Sequence, residues 1–261
     1  MAETKIKLTG EQEALAKQLA EARQARTRCD AKPEALVSDE ATAFAVQQAA
    51  VSAYPSKRIG YKIGATSPAA QAMIGCDGPF FAPMFERDVF SPDATLPRSD
   101  TWLAVECEFA FRMSATPASA LHTDLAESIE SCHPALEVIG RRTEGEGLSK
   151  LISSICDFGL NAAFCAGEAI KGWQVLDLGE AEVVGLVDGT ETNRGQGSAV
   201  LGNPLNALGW LSEKLAEAGT PLAAGDWIST GTCLGIIPAT PGATITGDYG
   251  ELGRVSLTFA H

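Results

Sequence analysis

Residues 105–111 read Val-Glu-Cys-Glu-Phe-Ala-Phe, and this stretch carries the clearest structural pattern in the chain. Its acidic residues alternate with apolar ones, as side chains do when successive residues of a β-strand point to opposite faces. On such a strand Glu106 and Glu108 share one face and lie roughly 6.5–7 Å apart along the chain. The neighbouring residues are apolar, so the pattern predicts an interior strand and a sheet at the centre of the fold.

Two carboxylates on one face of an interior strand require compensation, because burial removes their hydration while their like charges repel each other. A hard divalent cation compensates them naturally, since Mg²⁺ and Ca²⁺ prefer oxygen ligands. The alternative is a half-exposed strand with a solvated acidic face, which is the commoner explanation of an isolated Glu-X-Glu pattern. The pair alone therefore does not establish a metal site.

A third glutamate strengthens the metal interpretation. Residues 134–139 read Pro-Ala-Leu-Glu-Val-Ile, so Glu137 also lies within an apolar segment that predicts a strand. By itself Glu137 could pair with Arg141 or Arg142, because glutamate is rarely buried without a partner. Three glutamates in two apolar strands fit a facial triad of metal ligands better than three unrelated acids. Such a triad leaves about half of an octahedral site open for substrate and water.

A lone lysine occurs in a further predicted strand, within Gly-Tyr-Lys-Ile-Gly at residues 60–64. Flanking glycines allow a ligand to approach closely, so Lys62 is a candidate for binding a substrate carboxylate or relaying a proton. A surface lysine on an edge strand is the alternative. Residues 229–235, Ser-Thr-Gly-Thr-Cys-Leu-Gly, offer N–H and hydroxyl donors to an anion, unless they form an ordinary turn.

The N-terminal part of the chain predicts helices. Thr9 and Gln12 form a capping box at the start of the first helix, with Leu15 and Leu19 facing inwards and Arg23 pointing elsewhere. After residue 55, short apolar segments alternate with glycine- and proline-containing turns. This order predicts one α+β domain, in which an N-terminal helical region packs on a β-rich core.

Periodicity and turn residues place the remaining elements. Further helices are predicted over residues 39–53, 118–132 and 204–219. Strands are predicted over residues 58–65, 104–113, 135–140, 181–187, 226–230, 244–248 and 254–259. The helical region then covers residues 1–55 and the β-rich catalytic core covers residues 56–261.

Composition excludes several classes of protein. The 261 residues carry a formal net charge of −13, whereas a nucleic-acid partner requires a basic face. The cysteine count is 7, and the odd number without a Cys-X-X-Cys pair argues against a disulfide framework or a zinc ribbon. No signal-peptide pattern begins the sequence and no apolar run is long enough for a membrane span, so we expect a cytoplasmic protein with no membrane partner.

Several of these stretches, taken in order, resemble the hydratase and decarboxylase branch of the fumarylacetoacetate-hydrolase superfamily. They are residues 60–67, 105–108, 134–139, 202–207, 222–231 and 252–255. The resemblance implies a mixed β-roll or barrel core like the C-terminal domain of that superfamily, with an N-terminal helical layer. It also implies a homo-oligomer, and Mg²⁺ or Mn²⁺ held by Glu106, Glu108 and Glu137 beside a catalytic Lys62.

The resemblance also identifies candidate substrate contacts. Thr230, Gly231 and Thr232 correspond to the segment that orients the substrate. Phe80 stands where the pentadienoate hydratases usually carry an aspartate, and Asn161 stands nearest to a serine that they usually place beside the substrate. Because both differences fall on pocket positions, the substrate is expected to differ from that of a pure pentadienoate hydratase.

The function implied is a lyase that adds water to a 2-hydroxy-2,4-dienoate and gives a 4-hydroxy-2-oxo acid, as in the catabolism of aromatic compounds. The substrate is then a small 2-oxo acid. Decarboxylation of a 2-oxo-enedioate is the first alternative, because the same metal would serve both reactions. A C–C hydrolase fits less well, since no histidine precedes His122. A non-catalytic metal-binding relative is the least favoured alternative, because Lys62 and all three glutamates are present.

Overall fold

The computed structural model describes residues 6–261 and places a layer of helices before the β-rich part of the chain. The helices are α1 (Gly10–Ala25), α2 (Pro33–Leu36), α3 (Glu40–Ala53), α4 (Pro68–Ile74), α5 (His122–Glu127), α6 (Leu151–Cys156) and α7 (Pro204–Glu217). The strands are β1 (Arg58–Gly64), β2 (Phe80–Phe85), β3 (Thr95–Leu96), β4 (Trp102–Met113), β5 (Ile129–Gly140), β6 (Asn161–Ala166), β7 (Glu182–Val187), β8 (Thr190–Gln196), β9 (Trp227–Pro238), β10 (Thr244–Asp248) and β11 (Arg254–Phe259). The predicted α+β architecture is confirmed.

The first two long helices begin where their capping residues predict. The Thr9 hydroxyl accepts the Gln12 N–H at 3.3 Å, and the Gln12 side chain accepts the Thr9 N–H at 3.0 Å. Asp39 caps α3 by accepting the Thr42 N–H at 2.9 Å. These caps satisfy backbone donors that would otherwise lack intrahelical partners. The prediction for Arg23 was wrong, because its side chain is buried rather than directed outwards.

Two sheets make up the β-rich part. The six-stranded sheet has the order β2-β1-β9-β4-β5-β6, and the five-stranded sheet has the order β3-β11-β10-β7-β8. In the first sheet, β4 and β5 pair antiparallel with Glu106 directly opposite Glu137. Strand β1 runs parallel to β9, with Lys62 opposite Ser229. The register of these central strands therefore brings residues from four parts of the sequence to one face.

One predicted helix is wrong. Only His122–Glu127 of residues 118–132 is helical, and β5 begins at Ile129. Strand β4 continues to Met113, which pairs with Ile129. Strand β5 therefore begins well before the strand that was predicted over residues 135–140. Pairing with β4 outweighs the local preference for a helix.

The helical layer packs tightly against the sheet. Leu15 and Leu19 of α1 share a buried cluster with Ile155 of α6 and with Phe158, which precedes β6. The division of one structural domain into a helical region, residues 1–55, and a β-rich core, residues 56–261, stays a prediction. Within residues 6–261 no helix combines the length and the apolar character that crossing a bilayer requires.

Candidate active site

Three carboxylates meet at the centre of the six-stranded sheet. Glu106 and Glu108 project from β4 and Glu137 from β5, and one carboxylate oxygen from each lies within 4.8 Å of the others. Glu108 and Glu137 are fully buried, whereas Glu106 lines a cavity. Oxygen ligands at this spacing could hold a divalent metal ion. The sequence prediction that these three glutamates lie together is therefore matched by the geometry.

Two of the carboxylates are each held through one oxygen. Glu108 Oε2 accepts the Ser229 hydroxyl at 2.5 Å and the Gly231 N–H at 2.9 Å. Glu137 Oε1 accepts the Asn161 side-chain amide at 2.9 Å. Within the described part of the chain, Glu108 Oε1 and Glu137 Oε2 are buried without a hydrogen-bond partner. Buried acceptors without partners are destabilising, so Glu108 Oε1 remains for a cation, whereas Glu137 Oε2 already lies 3.4 Å from the ammonium of Lys62.

Lys62 extends from β1 into this cluster. Its Nζ lies 3.4 Å from Glu137 Oε2, and both side chains are buried. Burial lowers the pKa of Lys62, but the negative charges of Glu137, Glu106 and Glu108 raise it by more. The pKa therefore lies above its ordinary value. Lys62 is consequently a buried ammonium among three carboxyl groups.

Burial raises the pKa of each of the three carboxyl groups above the usual value for glutamate. Burial raises the pKa of Glu106 to about 7, although the charge of Lys62 opposes the increase. Burial also raises the pKa values of Glu108 and Glu137, and the mutual repulsion of the carboxylates adds to the effect at Glu108. One lysine therefore does not neutralise the cluster, and further positive charge would favour the ionised form of all three acids.

Phe80 forms an aromatic wall beside Lys62. The lysine Nζ lies 5.4 Å from the centre of the Phe80 ring, a distance at which a cation–π attraction operates. Space around the pair is restricted: a Cβ at Gly64 would lie 2.8 Å from Phe80 Cζ. The predicted pocket residue Phe80 does line the cavity, in a position where it contacts the candidate catalytic residue.

Asn161 lies behind Glu137 rather than on the cavity wall. Besides its bond to Glu137, its side-chain oxygen accepts from Arg23 Nη2 at 2.9 Å. Its main-chain oxygen accepts from Arg23 Nη1 at 2.7 Å and from Arg142 Nη1 at 2.9 Å. Asn161 therefore orients a carboxylate of the cluster, whereas the family resemblance implied a contact with substrate.

The backbone before Asn161 adopts an uncommon conformation. The φ values of Phe158, Gly159 and Leu160 are 53°, 62° and 60°. They lie in the left-handed region, which residues other than glycine rarely adopt. A Cβ at Gly159 would lie 2.5 Å from Ala82 Cβ. This segment carries the chain from α6 into β6, and unfavourable backbone geometry of this kind is concentrated at functional sites.

Two buried arginines, Arg23 and Arg142, complete the network, and neither was predicted from the sequence as a residue of the metal site. Arg23 donates to Asp88 Oδ2 through Nε and Nη2, at 3.0 and 2.8 Å. Arg142 donates through Nε to Asp157 Oδ1 at 2.5 Å. The sequence does contain a signal for Arg23, because it follows Leu19 by four residues and therefore lies on the buried face of α1. No comparable pattern identifies Arg142.

Replacing Arg23 with methionine is expected to lower the free energy of unfolding by about 3–5 kcal/mol, because it leaves Asp88 as a buried charge without its partner. The matched control is Arg254→Met. Arg254 pairs with Asp248 at 2.6 Å but its side chain is 69% exposed, so its loss should cost less than about 1 kcal/mol. Urea unfolding of both variants measures the difference, and equal effects would contradict the importance of the buried network.

The cavity beside the cluster has a volume of about 340 Å³. Of the predicted substrate contacts in β9, Thr232 lines it, while its hydroxyl donates to the Gly235 carbonyl at 2.7 Å. The Thr230 hydroxyl donates to the Phe109 carbonyl at 2.8 Å. The Gly231 N–H is bonded to Glu108, as described above. Thr230 and Gly231 thus stabilise β9 and the carboxylate cluster, and Thr232 is the residue of the three that reaches the cavity.

The chain is similar in sequence to one family of proteins along nearly its whole length. The family model described as fumarylacetoacetate (FAA) hydrolase C-terminal matches residues 14–259. A 2-keto-4-pentenoate hydratase of Paraburkholderia phymatum is 30% identical over 255 residues, which cover 95% of this chain and 97% of the relative. A 4-oxalocrotonate decarboxylase of Pseudomonas putida is 32% identical over 209 residues, 78% of each chain.

A solved structure shares almost the whole fold. The 4-oxalocrotonate decarboxylase from Pseudomonas putida G7, complexed with magnesium and adipate, aligns with a TM-score of 0.88 at 28% identity, covering 97% of this chain and 99% of that one. A fumarylpyruvate hydrolase from Pseudomonas aeruginosa, complexed with Mn²⁺ and pyruvate, aligns with a TM-score of 0.60 at 18% identity. The second likeness concerns the fold alone.

Proposed function

This chain belongs to the fumarylacetoacetate hydrolase family, and on that basis we propose that it is a metal-dependent hydratase. The reaction is the addition of water to a 2-hydroxy-2,4-dienoate, which gives a 4-hydroxy-2-oxo acid. Relatives that carry the name 2-keto-4-pentenoate hydratase support this assignment over most of the chain. The family resemblance further suggests a cytoplasmic homo-oligomer that acts in the breakdown of aromatic compounds. Light scattering would test the oligomeric state, and cell fractionation would test the location.

The observation that carries the proposal is a cluster of three carboxylates in which two buried oxygens, Glu108 Oε1 and Glu137 Oε2, accept no hydrogen bond. The second of them is 3.4 Å from the Lys62 ammonium. Glu106, Glu108 and Glu137 would hold Mg²⁺ or Mn²⁺, since hard cations prefer oxygen ligands. A bound cation supplies Lewis-acid stabilisation of the negative charge that develops on the 2-oxo group. The hydrogen bonds from Ser229 and Asn161 orient the ligands before substrate arrives.

Lys62 is the residue that we assign to proton transfer. Its Nζ is directed at the cluster, 3.4 Å from Glu137 Oε2, so it is next to any substrate bound there. Neutralising the carboxylates would remove the charges that raise the Lys62 pKa, whereas burial, which lowers the pKa, would remain. The lysine is thereby brought towards a pKa at which it can both donate and accept a proton.

Decarboxylation of a 2-oxo-enedioate is the second candidate. A 4-oxalocrotonate decarboxylase is among the similar curated proteins, and another aligns over nearly the whole fold. The carboxylate cluster does not discriminate between the two reactions, because both proceed through a negative charge at the 2-oxo group. The difference must therefore come from the part of the cavity that receives the other end of the substrate.

Turnover of 2-hydroxypenta-2,4-dienoate, followed by ultraviolet absorbance with Mg²⁺ or Mn²⁺, tests the proposal. We expect metal-dependent loss of the dienol absorbance, 4-hydroxy-2-oxopentanoate as the product, and no reaction with Glu106→Ala. A parallel assay follows CO₂ release from a 2-oxo-enedioate. Release of CO₂ without hydration of the dienoate would replace the hydratase assignment by the decarboxylase.

Stability should depend on pH and metal together. Since the pKa of Glu106 rises from 4.5 to about 7 on folding, folded protein without metal holds this proton more tightly than unfolded protein. The free energy of unfolding therefore falls as the pH rises through this interval. Glu108 and Glu137 shift in the same direction. We expect the metal-free protein to melt several degrees lower at about pH 8 than at about pH 5, and added Mg²⁺ or Mn²⁺ to stabilise it more at the higher pH.

Differential scanning fluorimetry with and without EDTA measures this dependence, and Glu106→Gln is its control. The glutamine cannot titrate, so the decrease between the two pH values should be smaller in that variant. Burial lowers the pKa of His133, which acts in the opposite direction but equally in both proteins. An identical pH dependence in wild type and variant would contradict the assigned role of Glu106.

A further inference from the structure

The cavity beside the carboxylate cluster is polar at one end and apolar over most of its wall. Lys62, Glu106 and Thr232 provide polar groups. Large apolar side chains form much of the remainder, namely those of Met73, Ile74, Ile139, Leu148, Leu160 and Ile236. An acid of eight non-hydrogen atoms with a cation and one water fills roughly 200 Å³ at protein packing density. The cavity volume of about 340 Å³ therefore leaves space beyond a five-carbon dienoate.

Each cationic side chain that lines the cavity already has a carboxylate partner. Among its lining residues the cationic side chains are those of Lys62 and Arg194, and Lys62 belongs to the glutamate cluster. Arg194 donates through Nε and Nη2 to Glu191 at 2.9 and 2.6 Å, and through Nη1 to Glu182. Burying a carboxylate without a partner is strongly unfavourable. A dicarboxylic substrate is consequently a poor match to this wall.

Met73 adds a separate observation. It lies on α4, lines the cavity and is 51% exposed, so its side chain lies where the cavity wall meets solvent. Its carbonyl oxygen accepts a hydrogen bond from the Lys150 ammonium at 3.1 Å, and Lys150 is not among the residues that line the cavity. The exposed apolar side chain thus continues the apolar wall to the solvent side of the cavity.

We infer that the substrate is a 2-hydroxy-2,4-dienoate bearing an alkyl tail of about three to five carbons, instead of a second carboxylate, at the end remote from C1. The inference rests on the proposed hydratase function and specifies its substrate class. The acid end lies at the carboxylate cluster, and the tail lies against Met73, Leu148 and Leu160. The same wall favours hydration over decarboxylation of an enedioate.

The test compares kcat/KM for three substrates with Mn²⁺: 2-hydroxypenta-2,4-dienoate, 2-hydroxyocta-2,4-dienoate and 2-hydroxyhexa-2,4-dienedioate. Burial of each added carbon should raise kcat/KM roughly threefold, so the eight-carbon substrate should exceed the five-carbon one by about 30-fold. The dicarboxylate should be at least about tenfold poorer than the five-carbon acid. Turnover of none of the three would overturn the proposed function together with the inference.

Other outcomes separate the two proposals. Hydration of the five-carbon acid at a kcat/KM equal to or above that of the eight-carbon acid would overturn the inference and leave the hydratase function standing. Preference for the dicarboxylate would also overturn the inference, and release of CO₂ from it without hydration of either dienoate would overturn the hydratase function as well. The variant Met73→Asp should reduce the ratio of the eight- to the five-carbon kcat/KM about tenfold, whereas an unchanged ratio would count against the tail site.

A matched control keeps the variant interpretable. Val175 is an apolar residue that is 88% exposed and does not line the cavity. Val175→Asp therefore introduces the same charge at an exposed position, and its ratio should equal that of the wild type. Circular dichroism establishes that both variants fold, so a changed ratio in Met73→Asp alone supports the alkyl-tail assignment.

Discussion

Replacing Glu137 with alanine is expected to lower kcat/KM by at least about 10³-fold, because it removes one of the proposed metal ligands and with it several kcal/mol of charge stabilisation. Glu137 is fully buried and also contacts both Lys62 and Asn161. In the same variant, the binding of Mn²⁺ should fall below what isothermal titration calorimetry can detect. The loss of activity and the loss of metal are thus expected together.

The control for this substitution comes from the same strand. Glu130 of β5 has a side chain that is 52% exposed and pairs with Arg112 at the surface. Glu130→Ala should change the free energy of unfolding by less than about 1 kcal/mol and leave Mn²⁺ binding intact. If Glu137→Ala retained wild-type metal affinity, the assignment of Glu137 as a ligand would be wrong.

The second large effect is expected from Lys62→Met. Loss of a positioned proton-transfer group typically reduces the rate by about 10²–10⁴-fold, and methionine keeps the length and apolar character of the lysine stem. In contrast to the glutamate variant, Lys62→Met should still bind Mn²⁺, since no ligand oxygen is removed. Single-turnover kinetics with saturating metal therefore separate the proton-transfer role from metal binding.

Lys57→Met provides the comparison for that variant. Lys57 is exposed and precedes β1, so its replacement removes the same charge from the same part of the chain without reaching the cluster. Its kcat should equal that of the wild type. A Lys62→Met enzyme with nearly full kcat would show that another group moves the proton.

Sequence alone predicted which glutamates form the cluster, but not the strand register that brings them together. Alternation within β4 places Glu106 and Glu108 on one face, and the apolar surroundings of Glu137 mark it as unusual. That Glu106 lies directly opposite Glu137 depends on the register of β4 against β5. No local pattern specifies this register, because it is set by pairing along the whole hairpin.

The positions of Asn161 and Arg23 show a second limit. The family resemblance assigned Asn161 to the substrate pocket. Its side chain instead forms hydrogen bonds with Glu137 and Arg23. The helical period could have placed Arg23 on the buried face of α1. Its partners could not have been found in this way, because Asp88 and Asn161 lie 65 and 138 residues further along the chain.

That separation has a consequence for biosynthesis. Helix α1 leaves the ribosome early, but the side chain and carbonyl of Asn161 that receive Arg23 are made 138 residues later, a delay of roughly 7–28 s at 5–20 residues per second. Until Asn161 has been made, packing α1 against the rest of the protein would remove water from the Arg23 guanidinium before all of its hydrogen-bond acceptors are present. The nascent chain is therefore expected to carry an undocked, amphipathic first helix, whose apolar face is available to chaperones until β6 has been translated.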